Sequence, residues 1–130
     1  MLVIDASATL HLLASVDGLD PLAGQDLVAP ALLWSEATSV LSETRRRGEI
    51  SEELANVAFE RLLSAPIARR ASADLYRHAT AVAEALGWAK TYDAEYVALA
   101  RMLQTRLVTR DARLRRGAAR LVEAIGPDDL

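Results

Sequence analysis

Lys90-Thr-Tyr-Asp-Ala-Glu-Tyr-Val-Ala-Leu-Ala-Arg-Met-Leu-Gln-Thr-Arg-Leu-Val-Thr-Arg-Asp111 is the stretch on which the fold turns. It reads as a helix that opens with an acid, Asp93, followed within a few residues by a short apolar strand, Leu107–Thr109, that runs into a second acid, Asp111. A helix that feeds a short, continuously apolar strand is the repeating unit of a parallel sheet buried on both faces. Two carboxylates are thereby delivered to the ends of packed elements.

Working outward, the same alternation recurs. Leu2-Val3-Ile4 is a short apolar run that stops at Asp5, after which Ser7 is placed to cap a helix carrying Leu10, Leu13 and Ala14. A polar, glycine-containing loop covers Val16 to Asp26, and Leu27-Val28-Ala29 forms a second strand ended by Pro30. The pattern from Ala31 to Arg47 is helical, with Leu33, Ala37, Val40, Leu41 and Thr44 on one stripe and Gly48 as the stop. Ser51 caps the next helix, whose stripe is Leu54, Val57, Ala58, the stem of Arg61 and Leu62, so the two form a helical hairpin. Ile67–Ser72 has room for a short edge strand, and Ala73–Leu86 is a helix stopped by Gly87. Asp111–Arg120 is a loop or a single helical turn, and Leu121–Ile125 is a last strand. The expectation is one α/β domain over residues 1–130, a central parallel sheet of four to five strands with helices on both faces.

At 130 residues the chain can bury a core without disulfides, and it has no cysteine, which removes thiolate zinc sites and thiol nucleophiles and suits a reducing cytoplasm. Met1–Asp5 lacks a basic n-region, and nothing approaches the about 20 apolar residues of a membrane span. The net charge of -3 argues against wholesale electrostatic capture of nucleic acid. All basic residues but Lys90 are arginines, several clustered at Arg45–Arg47, Arg69–Arg70 and Arg110–Arg116. They fit either solvated helix ends or phosphate contacts.

Loops leaving the carboxyl ends of parallel strands gather on one edge, where sites form. Asp5, Glu36 and Asp111 each follow a strand, and Asp93 begins the helix before the last of these strands. Each has a structural explanation as a cap, first-turn or turn acid, although Glu36 lies at the margin of an apolar stripe, where an unpaired carboxylate is costly. Four together repel unless a cation intervenes. With neither cysteine nor paired histidines, Mg²⁺ or Mn²⁺ suits the set better than zinc, and such an ion makes water a nucleophile toward a phosphodiester. There is no phosphate loop or dinucleotide fingerprint, and Asp5-Ala6-Ser7 lacks the Asp-x-Asp pair of an aspartyl phosphatase. His11 and His78 read as helix-surface residues. Trp34, Trp88, Tyr92 and Tyr96 read as core or interface rather than as surfaces for stacking bases.

Val3–Ala8, Pro30–Glu36, Tyr92–Ala100 and Leu107–Asp111 together resemble the PIN-domain ribonucleases, and within them the VapC-type toxins of type II toxin–antitoxin systems. The resemblance covers nearly the whole chain. It implies a three-layer α/β/α fold and a divalent-metal-dependent endoribonuclease of structured RNA. Asp5, Glu36, Asp93 and Asp111 would be the catalytic and metal-binding acids, with Asp5 and Asp93 the direct ligands, and Thr109 and Ser7 would support them; Glu95 matches a frequent acid of the motif. It further implies a small cognate antitoxin docked on the hairpin Ala31–Ser64, and a homodimer or toxin–antitoxin hetero-oligomer in the cytoplasm. Two alternatives are a catalytically weak binding module acting through its antitoxin and a solitary RNA-processing nuclease.

Overall fold

The structure is a computed structural model and describes residues 1–130. Five parallel strands form one sheet in the order β3-β2-β1-β4-β5: β1 Leu2–Ile4, β2 Leu27–Pro30, β3 Ile67–Arg70, β4 Leu107–Val108 and β5 Ala124–Ile125. Six helices connect them: α1 Ala6–Leu13, α2 Leu32–Arg46, α3 Glu52–Ser64, α4 Ala73–Leu86, α5 Tyr92–Met102 and α6 Ala112–Ala118. β1 and β2 are buried along their whole length, as their unbroken apolar runs require.

The chain moves from β1 outward to β2 and β3, then returns across the sheet to β4 and β5. Right-handed crossovers therefore place α1, α2 and α3 on one face and α4, α5 and α6 on the other. The contacts agree, because α1, α2 and α3 pack on one another while α4 packs on α5, and α5 lies across β1, β2 and β4. The order of strands reverses between β1 and β4, so the crevice of this sheet opens beyond the carboxyl ends of those two strands.

Several local expectations shift. Asp5, not Ser7, is the N-cap of α1: its backbone is extended and its carboxylate accepts from Ala8 N. The buried face of α1 is Ala8, Thr9, Leu12 and Leu13, while Ala14 is exposed. On α3 the expected Ala58 and Leu62 are buried, but Ala55 joins them in place of Leu54 and Val57, which face solvent. Arg61 is exposed and turns its guanidinium back to α1, donating to the carbonyls of Leu13 at 2.8 Å and Ser15 at 3.2 Å, a cation at a helix C-terminus. Residues 94–100 of α5 are all buried, so it is a central helix rather than an amphipathic one.

The Ile67–Ser72 stretch does supply an edge strand, β3, whose Ala68, Arg69 and Arg70 are exposed. The other edge, β5, is only two residues long and is shorter than the expected Leu121–Ile125. Residues 112–118 form a seven-residue helix rather than a loop or single turn, because Asp111 accepts from two of its first N–H groups. The φ of +72° at Gly87 ends α4 in the left-handed conformation that only glycine adopts freely. No helix is long and apolar enough to cross a membrane.

Candidate active site at the carboxyl edge of the sheet

Adjacent strands β1 and β4 each end in an aspartate that caps the helix to follow. Asp5 is 5% exposed. Its Oδ1 accepts from Ala8 N at 2.9 Å and from Ser7 Oγ at 2.8 Å, and its Oδ2 accepts from Thr109 Oγ1. Each hydroxyl also receives a backbone N–H from the corner after β4: Arg110 N donates across to Ser7 Oγ at 3.0 Å, and Asp111 N donates within its own corner to Thr109 Oγ1 at 3.0 Å. Both hydroxyl protons are committed to Asp5, so the 3.3 Å approach of Ser7 Oγ to Thr109 Oγ1 is packing and not a third bond. The two corners are thus stitched together through the carboxylate of Asp5.

Asp111 Oδ1 accepts from Arg113 N at 2.9 Å and Leu114 N at 3.2 Å, while the residue remains exposed. Asp93 reaches the same edge through chain geometry. α5 is joined to β4 by only four residues, so it runs opposite to the strand and its first turn stands beside the strand's carboxyl end. Glu36, in the second turn of α2, accepts from the hydroxyl of Tyr96 on α5 at 2.5 Å, a short charge-assisted bond. Burial, with the Glu36 carboxylate beside it, pushes the Tyr96 hydroxyl well above its ordinary range, so it stays a donor.

The acids are close enough to act on one another. Burial raises Asp5 despite three favourable hydrogen bonds, and the charge of Asp93 adds to this. Glu36 is raised by burial and then by Asp93 and Asp5. Asp93 is raised by burial and by Asp111, with Arg113 opposing, and Glu95, buried on α5, is raised by burial and by Glu36. None of these carboxylates belongs to a salt bridge. Glu36, Asp93 and Asp111 line a cleft of about 540 Å³ together with Trp88, Lys90, Tyr92 and Arg113.

The donor set consists of hard oxygens in no salt bridge, with Arg113 only partly offsetting Asp93, which fits a hard divalent ion. No three of the side chains converge into a finished coordination cage. Mg²⁺ tolerates that, since it keeps several waters and takes only one or two carboxylates from a protein.

Of the residues named from the sequence, Glu36, Asp93 and Asp111 line one cleft, and Asp5 lies beside them, near enough for charge to act between it and Asp93 and Glu36, with Ser7 and Thr109 bonded to its carboxylate. The sequence reading misses Tyr96 as the partner of Glu36, for which a tyrosine three residues after Asp93 on a buried helix is the only signal. It also misses that Trp88 and Tyr92 line the cleft. The arginine clusters divide: Arg45 and Arg47 pair with Glu52, Glu43 and Glu49 at the far end of α2, whereas Arg113 borders the acids.

Residues 2–120 match the family model of the PIN domain, and the chain belongs to that family. Among solved structures it is similar to PAE2754 from Pyrobaculum aerophilum, at 26% identity and a TM-score of 0.78, covering 98% of this chain and 91% of that one. It is also similar to FitAcB from Neisseria gonorrhoeae, at 18% identity and a TM-score of 0.57, covering 100% of both chains. A third is VapBC2 from Rickettsia felis bound to a DNA fragment from their promoter, at 12% identity and 0.65, covering 97% of this chain and 98% of that one. The last two show the fold alone. No curated protein matches the chain.

Proposed function

We propose that the chain is the toxin of a type II toxin–antitoxin pair, a Mg²⁺- or Mn²⁺-dependent endoribonuclease that hydrolyses structured RNA in the cytoplasm. The observation that carries this reading is the proximity of Asp5, Glu36, Asp93 and Asp111 at the switch point of the sheet, where Asp5, Glu36 and Asp93 are each raised by a neighbouring acid and none of the four is in a salt bridge. When bound, the divalent ion supplies Lewis acidity toward the phosphodiester and lowers the pKa of water.

The chain's own residues do the rest. Asp5 and Asp93 would hold the ion, and Glu36 and Asp111 would assist them or accept a proton. Ser7, Thr109 and the Ala8 N–H fix the Asp5 carboxylate so that it does not reorganise as charge develops. Tyr96 does the same for Glu36.

The antitoxin is placed on the α2–α3 hairpin, where Val40, Leu54 and Val57 are exposed apolar side chains with no cover from this chain. Similarity to VapBC2, solved on promoter DNA, supports a partner of that kind. Purified Asp5→Asn and Asp93→Asn proteins should lose RNA cleavage by about a thousandfold or more, several kcal/mol of transition-state stabilisation, while keeping wild-type circular dichroism. Wild-type rates in either variant would sink the nuclease reading and leave a binding module acting through its antitoxin.

A further inference from the structure

Of the six glycines, four take a positive φ, which accounts for them as turn residues. The other two, Gly117 and Gly126, have no such need, and each makes room for a close contact of α6. A Cβ on Gly117, inside α6, would stand 3.1 Å from Cζ2 of the Trp88 indole, and one on Gly126 would stand 3.0 Å from Asp129 Oδ2 and 3.4 Å from Arg115 Nη1. Glycine inside a helix weakens it relative to alanine, so its place in α6 calls for a reason. The indole supplies one. Trp88 has little room to give way: its backbone N–H bonds to Ala83 O at 2.8 Å behind the left-handed Gly87 that ends α4, and its half-buried ring packs on the core. Two ties hold α6 onto that ring. Arg120 donates from beyond the end of α6 to Ala85 O of α4, and Arg115 reaches Asp129 at 3.4 Å, which in turn accepts from Gly126 N at 3.0 Å.

Trp88, Asp93 and Asp111 line the same cleft, so this contact lies beside the two helix starts that bring in the acids. Resting on the nuclease reading above, we infer that Trp88 seated against Gly117 is a spacer: it sets how far the start of α6, capped by Asp111, stands from the first turn of α5, which carries Asp93. Trp88 is a positioning residue, since an indole has no oxygen with which to hold a hard cation and acts only through the acids. Of the two partners α6 is the one that can move. It is seven residues long and buries only Leu114 and Ala118, so pressure at residue 117 is relieved by shifting α6 together with the backbone of Asp111. The spacing matters because Asp111 is already near enough for its charge to act on Asp93, and Mg²⁺ demands near-ideal geometry from the oxygens around it.

The test is a double-mutant cycle read by Mn²⁺ affinity in calorimetric titrations of the whole chain, with RNA cleavage measured alongside. Gly117→Ala places a methyl against the ring, Trp88→Phe removes the edge of the ring that the methyl meets, and the double variant does both. Each single substitution should weaken Mn²⁺ binding by about 10- to 100-fold, the range for losing a residue that supports metal ligands. Gly117→Ala does so by pushing α6 outward, Trp88→Phe by leaving α6 without its stop. The double variant should recover most of the wild-type affinity, because the methyl refills the space the smaller ring vacates. A merely helical role for Gly117 gives the opposite pattern: Gly117→Ala would resist urea better than wild type and bind Mn²⁺ unchanged.

Wild-type Mn²⁺ affinity in Gly117→Ala would overturn the spacer, and so would losses in the two single variants that multiply in the double. If Gly117→Ala does not fold, Trp88→Phe decides alone, and unchanged Mn²⁺ affinity in it overturns the spacer. A wild-type protein that binds no Mn²⁺ overturns it as well, because there is then no ion to space the acids for. If Mn²⁺ binding follows the cycle but wild-type protein cuts no RNA, the nuclease reading fails and the spacer stands. If wild type cuts RNA and Gly117→Ala binds Mn²⁺ just as tightly, the spacer fails and the nuclease reading stands.

Discussion

The corners after β1 and β4 have the same local plan, a strand that ends in an aspartate which caps the next helix, yet the two aspartates live differently. Asp5 is buried and accepts three hydrogen bonds across both oxygens, while Asp111 is exposed and its recorded hydrogen bonds all fall on Oδ1. The difference follows from topology. β1 is the central strand of five and β4 lies one place toward an edge that ends in a two-residue strand. Identical capping chemistry thus yields one rigid carboxylate and one with an oxygen left for other partners. Asp5 is fixed before any ligand arrives, and Asp111 is free to adapt to one.

The largest effect that separates the two is in catalysis. Asp111→Asn keeps a capping oxygen and should leave stability within a few tenths of a kcal/mol, since asparagine and aspartate cap almost equally. Single-turnover cleavage should nonetheless drop by about a hundredfold or more, several kcal/mol at the transition state. Undiminished cleavage would reduce Asp111 to a cap and break the parallel with Asp5.

Next comes the hydroxyl that joins the corners. Thr109→Val deletes a donor to Asp5 and an acceptor for Asp111 N at 3.0 Å. The variant should lose about 10- to 100-fold in metal affinity or activity and about 1–3 kcal/mol of stability in urea, with Thr109→Ser recovering much of both. A Thr109→Val protein with wild-type metal affinity would show the corners to be independent.

The pH dependence is set by the raised carboxyls. Asp5, Glu36, Asp93 and Glu95 all hold protons more tightly folded than unfolded. Folded protein therefore binds more protons than unfolded protein from the ordinary carboxylate range, about 4, up to the raised values. Their stabilising contribution is whole below that window and falls as pH rises through it. Metal-free protein should melt at lower temperature near neutral pH than at the low end of that window, about pH 4.5, and Mg²⁺ should raise the melting temperature more at the higher pH. A calorimetric series with the opposite order would mean that the acids do not repel as their burial implies.

The smallest effect is structural. Asp111→Ala removes the cap of α6 and should cost about 1 kcal/mol by chemical denaturation. Asp5→Ala should cost more, because it strands Ser7, Thr109 and the Ala8 N–H in a buried place.

The acids at the strand ends were legible because a parallel strand announces its end: Ile4 gives way to Asp5, and Val108 to Thr109 and Asp111. Glu36 was legible because it sits where an apolar stripe should continue. Less could be read where apolar residues outnumber one face. On α3, Leu54 and Ala55 are equally good stripe positions, and only packing against α1 and α2 selects Ala55. α5 offers no stripe at all, which conceals Tyr96 as a partner of Glu36. The cleft joins residues 87–92 to residues 111–114, a juxtaposition set by the α4–α5 connection meeting α6, and periodicity carries no trace of it.

The outer strands have a consequence for how copies of the chain meet. β3 carries exposed arginines, with the Arg69 guanidinium 4.4 Å from the centre of the Trp34 ring, and β5 is too short to template a partner strand. A charged margin on one side and a truncated margin on the other discourage the sheet from growing by strand addition. The protein can therefore be concentrated without recruiting its neighbours into continuous β-structure, and its helical surfaces are left as the ground on which association is decided.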